Sequence, residues 1–287
     1  MPIFVGDIQG CGSEFVELLE RAKNRFGDEF ELHAVGDLIN RGPKNLLVLE
    51  RMRELVDEGR AAFVLGNHEL ALIRIHFGLR ALQPPDTLGD VLESKEADDW
   101  IEWLRRRPVS ECGELDGQPW AMVHASVHPD WTLDRLRDRS RAIERTLGSK
   151  DEDDAVDLLS VPREELEPES PADQLGRLVS CRSVTEGGWS SAAPAAPEDA
   201  WHSHWLERGH DYGVVYGHWA MQGLHVAKGL RGLDTGCVHH GRGRGGFLSA
   251  WLPGLRDRKG KSGRGLFDVP DDRLWQIKAR RRYYFPD

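Results

Sequence analysis

Six times in this chain an apolar run of strand length stops at a glycine or at a polar residue of the type that binds ligands: PIFVGD, ELHAVGD, AAFVLGNHE, WAMVHAS, GVVYGHWA and LRGLDTG. Strand-length runs followed by turn chemistry mark the carboxyl ends of strands. Between the first three runs the apolar spacing becomes helical. Phe15, Leu18, Leu19, Ala22 and Phe26 share a face after Ser13, which suits an N-cap. Leu46, Leu47, Met52 and Leu55 do so after Pro43, a residue favoured in a first helical turn. Residues 1 to about 75 therefore read strand–helix three times over, the unit of a largely parallel sheet. The later runs lie closer together, which predicts a second, more antiparallel sheet packed on the first.

The 287 residues are enough for one large domain or two small ones. We expect a single domain over 1–287, with 126–210 a cap-like insertion over the site. Its acid-rich stretch 151–157, its Pro- and Glu-dense stretch 162–174 and SSAAPAAPEDA at 190–200 predict exposed loops or short helices. The end of the chain, 255–287, is expected to be partly mobile, above all the basic, Gly-rich 256–265. LWQIKA at 274–279 fits a last strand.

The charge of −10, from 38 basic and 48 acidic residues, excludes a dedicated nucleic-acid or anionic-membrane binder but not a local cationic pocket. No apolar run reaches membrane-span length, and the N-terminus lacks the basic start and apolar core of a signal peptide. Cys11, Cys112, Cys181 and Cys237 are scattered with no CxxC pair, the pattern of a reduced, cytoplasmic chain with small inert thiols. No segment calls for an obligate protein partner.

Open α/β sheets gather ligands at the carboxyl ends of their strands. Asp7, Asp37, Asn67, His68, His124 and His218 all stand at or just after the ends of runs. If those strands are neighbours, the side chains converge into a donor set for two divalent ions of the Mn, Fe or Zn type, with Asp37 bridging. Two such ions carry four positive charges against two aspartates, which leaves a cationic cradle for phosphate. Paired ions clamp both oxygens of an in-line displacement and lower the pKa of a bridging water towards ~7. Gln9 stands where this chemistry usually has a histidine. The other histidines (His33, His76, His128, His202, His204, His210, His225, His239 and His240) are read as structural.

In that order GDIQG (6–10), GDLINRG (36–42), GNHE (66–69), His124-Ala125 and Gly217-His218-Trp219 resemble the phosphoprotein-phosphatase branch of the calcineurin-like metallophosphoesterases. Together with the GDIQGC start, GDLINRGP, GNHEL, Trp103-Leu104-Arg105-Arg106, GHWA and Leu233-Asp234-Thr235-Gly236-Cys237, they are most similar to its symmetrical bis(5′-nucleosyl)-tetraphosphatase family. The resemblance covers about 1–125 and 212–252. It implies a four-layer α/β/β/α metallophosphoesterase sandwich with a cap insertion. It also implies two divalent metal ions, Mn²⁺ first, with Co²⁺, Mg²⁺, Fe or Zn²⁺ as alternatives. The implied reaction is hydrolysis of a dinucleoside polyphosphate, diadenosine tetraphosphate to two ADP, by a hydroxide bridging the two metals.

Carried over position by position, Asp7 and Asp37 would hold the first metal, and Asp37, Asn67, His124 and His218 the second. His68 would be the general acid, Arg41 would hold phosphate oxygens through its planar fork, and Glu69 would orient His68. Arg182 is a further phosphate candidate, although the family's arginine-bearing segment is shortened here; a surface arginine is the alternative. Gln9 keeps the charge of a histidine but offers a harder amide oxygen, which favours Mn²⁺ or Mg²⁺ over Zn²⁺ if it coordinates; the alternative is a hydrogen bond to a metal-bound water. Asn40 stands where protein Ser/Thr phosphatases pair an aspartate with the catalytic histidine. Asparagine orients the ring without charging it, which suits a leaving group as good as ADP. Trp219 and Trp189 are stacking candidates for the bases, against core packing and loop anchoring respectively; Arg242 and Arg244 could reach outer phosphates. The alternatives are a protein Ser/Thr phosphatase or general phosphomonoesterase with the same centre, and a non-catalytic nucleotide-binding regulator.

Overall fold

The computed structural model describes residues 1–241, 245–255 and 265–284. Arg242, Arg244 and most of the basic stretch 256–265 lie outside them. The chain begins with β1 (Pro2–Val5), α1 (Gly12–Phe26), β2 (Glu31–Ala34), α2 (Asn45–Asp57), β3 (Ala61–Phe63) and α3 (Asn67–His76), the alternation expected. β1 pairs with β2, and β2 with β3, in parallel. The helix starts differ from expectation. Cys11, not Ser13, precedes α1, and Ser13 Oγ accepts from Lys44 Nζ at 2.9 Å. Pro43 lies ahead of Lys44, the residue before α2. Starting α2 at Asn45 turns Val48, Leu49, Met52 and Leu55 inward and leaves Leu46 and Leu47 at the margin.

The chain continues through α4 (Gly89–Leu92), α5 (Ala97–Arg105), β4 (Ser110–Leu115), β5 (Gln118–Val123), α6 (Leu133–Leu147), α7 (Glu152–Ser160), α8 (Pro171–Ser180), a hairpin of β6 (Ser183–Thr185) and β7 (Gly188–Ser190), and α9 (Trp201–Arg208). β8 (Gly213–Tyr216), β9 (His225–Ala227), β10 (Leu230–Gly232), β11 (Asp234–Thr235), β12 (Phe247–Trp251) and β13 (Leu274–Lys278) follow. One sheet has the order β11-β12-β1-β2-β3, with β13 also on β12; the other runs β4-β5-β8-β10-β9. The second sheet is mixed rather than mainly antiparallel. β4–β5 and β9–β10 are antiparallel hairpins, while β5–β8 and β8–β10 are parallel. The reason is the connection: β5 reaches β8 through α6–α9, and a crossover of that length brings a strand back parallel. β13 realises the last strand read from LWQIKA.

Strand alternation sets the layers. Phe4 of β1, Trp120 and Met122 of β5, Val215 of β8 and Trp251 of β12 form a cluster between the sheets. Their neighbours Ile3, Val5, Ala121, Val123 and Val214 point outward into a larger core with Phe15 and Leu18 of α1 and Leu136 and Ile143 of α6. Two sheets face to face, each covered by helices, make a four-layer α/β/β/α sandwich. No helix of the described residues is long and apolar enough to cross a membrane.

Candidate metal centre

The parallel strands bring the ends of β1, β2 and β3 side by side, and β5 and β8 bring theirs across the sheet interface. Asp7, Asp37, His124 and the first residue of α3, Asn67, converge there with His218. Ligand atoms of Asp37, His124 and His218 lie within 4.8 Å of one another. Asn67 Oδ1 is 3.1 Å from His124 Nε2 and 2.8 Å from His218 Nδ1, and Asp37 Oδ1 is 3.3 Å from His124 Nε2.

The tautomers follow from the outer contacts. A carbonyl oxygen accepts only, so His124 Nδ1–H donates to Val35 O at 2.9 Å and His218 Nε2–H donates to Ser180 O at 3.1 Å. In the neutral rings the facing nitrogens then carry lone pairs. Burial pushes His124 down to about 4 and holds His218 well below its ordinary value, so both rings stay neutral. Two imidazole lone pairs, an amide oxygen and a carboxylate oxygen thus point at one place, a donor set that fits a divalent cation of the first transition row.

Two glycines explain why the motifs read GN and GH. A Cβ at Gly66 would lie 2.2 Å from Asp37 Oδ1, and one at Gly217 would lie 2.0 Å from Asp7 Oδ1. Only glycine lets these loops close on the carboxylates. The His218 backbone N–H donates to both Asp7 oxygens, each at 3.1 Å. Asp7 stays well above the usual carboxylate range through burial, then through the charges of Asp234 and Asp37. Asp37 is raised to about 7, chiefly by burial. The Gln9 backbone N–H donates to Asp37 O at 2.7 Å, and Gln9 lines the same pocket.

His68 faces the centre from α3, its Nε2 3.5 Å from Asp37 Oδ2. Its Nδ1 lies 2.7 Å from Asn40 Nδ2. Asn40 Oδ1 is occupied by the backbone N–H groups of Arg41 (2.8 Å) and Thr87 (3.0 Å), so the amide must donate to His68, and the proton of the neutral ring sits on Nε2. Burial, then the charge of Arg41, holds the His68 pKa well below its ordinary value. Among the described residues Glu69 makes no hydrogen bond to the ring. Its carboxylate accepts the N–H groups of Asp37 (2.9 Å), Leu38 (2.8 Å), Ile39 (3.4 Å) and Gly66 (2.8 Å), pinning the Asp37 loop to the start of α3.

A pocket of 740 Å³ opens over this cluster, with Arg41, Arg182 and Trp219 in its wall. Arg182 is no free surface arginine: it donates to Ser191 O (2.6 Å) and His218 O (3.2 Å). Trp219 is half-buried in the pocket wall rather than the core. Trp189 is an anchor: Nε1 donates to Asp173 at 2.6 Å, and Arg163 lies over its ring at 4.5 Å. His239 also lines the pocket, whereas His33, His204 and His210 make structural contacts elsewhere.

Two residues of the site were given no role in the sequence analysis. Asp234 sits against Asp7 and lines the pocket, and its Oδ2 is buried without a hydrogen-bond partner among the described residues. An orphaned buried carboxylate oxygen beside two further aspartates is a place for a cation. Its signal was present, since it ends the LRGL run where the chain steps from β10 to β11. Asp86 had no such signal. Its buried carboxylate accepts from Arg41 Nη1 (2.8 Å), Arg80 Nη2 (2.6 Å) and Asn40 Nδ2 (3.0 Å).

A family model for calcineurin-like phosphoesterases matches residues 3–244. Over 263 residues the chain is 34% identical to a symmetrical bis(5'-nucleosyl)-tetraphosphatase of Ralstonia nicotianae, covering 84% of this chain and 87% of that one. A protein of the same name from Burkholderia thailandensis is 35% identical over 253 residues, covering 83% and 86%. Among solved structures, one provisionally assigned as a diadenosine tetraphosphatase aligns with a TM-score of 0.59 at 24% identity, over 97% of this chain and 93% of that one. That likeness speaks for the fold alone.

Proposed function

The chain belongs to the calcineurin-like phosphoesterase family, and from that premise we propose that it hydrolyses dinucleoside tetraphosphates symmetrically, diadenosine tetraphosphate to two ADP. The relatives' shared name supports the substrate. The observation that carries the reading is the Asn40–His68 hydrogen bond above the converging donors. Divalent metal ions bound there supply charge for the phosphate and activation for water. Asp37, Asn67, His124 and His218 would hold one ion; Asp7 and Asp37, with Gln9 close by, would hold the other. Mn²⁺ is the ion we favour, because carboxylate and amide oxygens dominate the first position.

The protein's own groups then divide the work. Arg41, steadied by Asp86, grips phosphate oxygens through its planar fork, and Arg182 adds a second guanidinium across the pocket. His68 presents Nε2–H to the departing oxygen. Asn40 donates to Nδ1 and gives an imidazolium no acceptor, so the ring acts as a neutral hydrogen-bond donor. That help is enough for a phosphate leaving group such as ADP and too little for a serine alkoxide. Trp219 offers a face to one base. We read 126–210 as the cap of one domain, on the support that Ser180 O holds His218 and Arg182 reaches the pocket.

Product chromatography on Mn²⁺-loaded protein tests the proposal, with Asp37→Asn as the control. Two ADP per diadenosine tetraphosphate is expected. ATP plus AMP, or faster release of phosphate from phosphopeptides, would overturn it, and binding without products would make the chain a nucleotide-binding regulator.

A further inference from the structure

Beside the metal centre, sharing Asn67 with the main pocket, lies a second cavity of 460 Å³. Asn67 lines both cavities, and so joins them at the place where the donors meet. Ser180, whose carbonyl fixes His218, also lines the second one. Its charged lining is Arg74, Arg80 and Arg163, with no aspartate or glutamate. That is an anomaly in a chain whose 48 acidic residues outnumber 38 basic ones. Asp86 already offsets Arg80, and Arg163 donates to Ser191 Oγ and Trp189 O, so the positive charge left for an entering anion to offset is chiefly that of Arg74, with Arg163 beside it. Among the described residues Arg74 donates only its Nε, to Leu159 O at 3.1 Å. The rest of the wall is largely apolar, including Leu70, Leu159 and Leu175. Phosphate-binding arginines beside an apolar wall make a nucleotide site of ordinary size.

We infer that this cavity binds one nucleoside-phosphate half of the substrate while the main pocket binds the other. The inference rests on the hydrolytic reading above and adds to it the reason for a symmetrical cut. A substrate with identical halves is cleaved at its centre when two pockets, each accepting a nucleoside diphosphate, flank a single reaction centre. Arg80 links the cavity to the chemistry, because its partner Asp86 also holds Arg41 and Asn40.

The test is ADP binding to the Mn²⁺-loaded full chain by equilibrium dialysis, with kinetics alongside. Arg163 is exposed, so Arg163→Ser removes only its contacts with Ser191 and Trp189; Arg74→Gln is the second variant, and a thermal melt of each shows that it folds. Two ADP per chain are expected for the parent and one in the same concentration range for each variant. The ratio of kcat/KM for diadenosine tetraphosphate to kcat/KM for p-nitrophenyl phosphate, which needs one pocket only, should fall about tenfold, the loss of one charged contact. If the parent binds a single ADP, or if both variants keep two sites and the parent ratio, the cavity is not a substrate site. Failure of the hydrolytic reading looks different: the parent then yields no ADP from diadenosine tetraphosphate, whatever its ADP stoichiometry.

Discussion

Replacing Asp86 by asparagine should damage catalysis and stability together, in amounts its contacts set. Its carboxylate side chain is 0% exposed and accepts three hydrogen bonds, two from arginines that are only 21% and 30% exposed. Burial alone would raise its pKa, but the hydrogen bonds from Asn40 and Arg41 and the charge of Arg80 outweigh burial and hold it below the usual carboxylate range. The folded state therefore favours the anion. An asparagine of the same shape offers one acceptor oxygen and turns an NH₂ towards at least one donor. Two charge-assisted bonds of roughly 1.5–3 kcal/mol each are at stake. Because the arginines keep some water, the expected loss of stability is about 2 kcal/mol, or roughly 3 °C in Tm for a chain of 287 residues. Released from Asp86, Arg41 loses its fixed fork and Asn40 one of the bonds that orient His68. The fall in kcat/KM should be about 10- to 100-fold, equivalent to roughly 1.4–2.8 kcal/mol of transition-state stabilisation. Urea denaturation and steady-state kinetics read the two effects separately. If Asp86→Asn keeps both the parent midpoint and the parent kcat/KM, Asp86 is not the anchor described here. If stability alone falls, Arg41 is positioned without it.

Glu69→Gln sets an NH₂ against backbone N–H groups that now find carboxylate oxygens, and should cost about 2–4 kcal/mol in urea denaturation; a shift under about 0.5 kcal/mol would contradict the pinning role. Gly217→Ala drives a methyl group into the Asp7 carboxylate, so bound metal measured by elemental analysis should fall at least severalfold, and unchanged metal content would refute the close-approach argument. Gln9→His should tighten the first metal and shift preference from Mn²⁺ towards Zn²⁺; titrations identical to the parent would sink the idea that Gln9 tunes that site. Asp271 is lowered to about 2: burial raises it, but Arg273 and Arg231 prevail. A depressed carboxyl contributes stability above its unfolded value near ~4 and loses it as pH falls towards ~2. After solvent screening that contribution is about 1–2 kcal/mol, so the stability difference between parent and Asp271→Asn should be full at pH 6 and shrink across that acid window. A difference that does not change with pH would argue against the ion-pair account.

The legible part of the site was the part attached to strands. Asp7, Asp37, Asn67, His124 and His218 follow apolar runs, and a strand's period and its turn are both written locally. Asp86 belongs to LRALQPPDTLGD, a stretch with neither period nor strand, and its importance exists only through Arg41, Arg80 and Asn40, none of them local on the scale of a turn. Asp234 was visible as a strand end but carried no partner until β11 was seen beside β12. The mixed second sheet was hidden for a similar reason, since the order β4-β5-β8-β10-β9 depends on a crossover that periodicity does not encode.

A further layer is absent from any propensity. Gln9, Asp37, Asn40, Arg41 and His218 all have left-handed backbones, with φ of 48°, 48°, 76°, 66° and 67°. Among the described residues, the other non-glycines with positive φ are Asp116 and Glu169. Each such residue costs of the order of 1 kcal/mol or more. Glycine would remove that cost at every one of these positions and would also remove the ligand, so the chain keeps the side chain and holds the backbone by other means. The Glu69 carboxylate fastens Asp37, Asn45 Oδ1 accepts the Asn40 N–H at 2.8 Å, and Asp7 accepts the His218 N–H. Asp7, a proposed metal ligand, both ligates and offsets strain, but Glu69 and Asn45 offset the strain without facing the substrate. Variants of Glu69 and Asn45 should lose geometry before they lose chemistry, which is why paired stability and kinetic measurements, rather than activity alone, are needed to tell them apart from variants of the ligands.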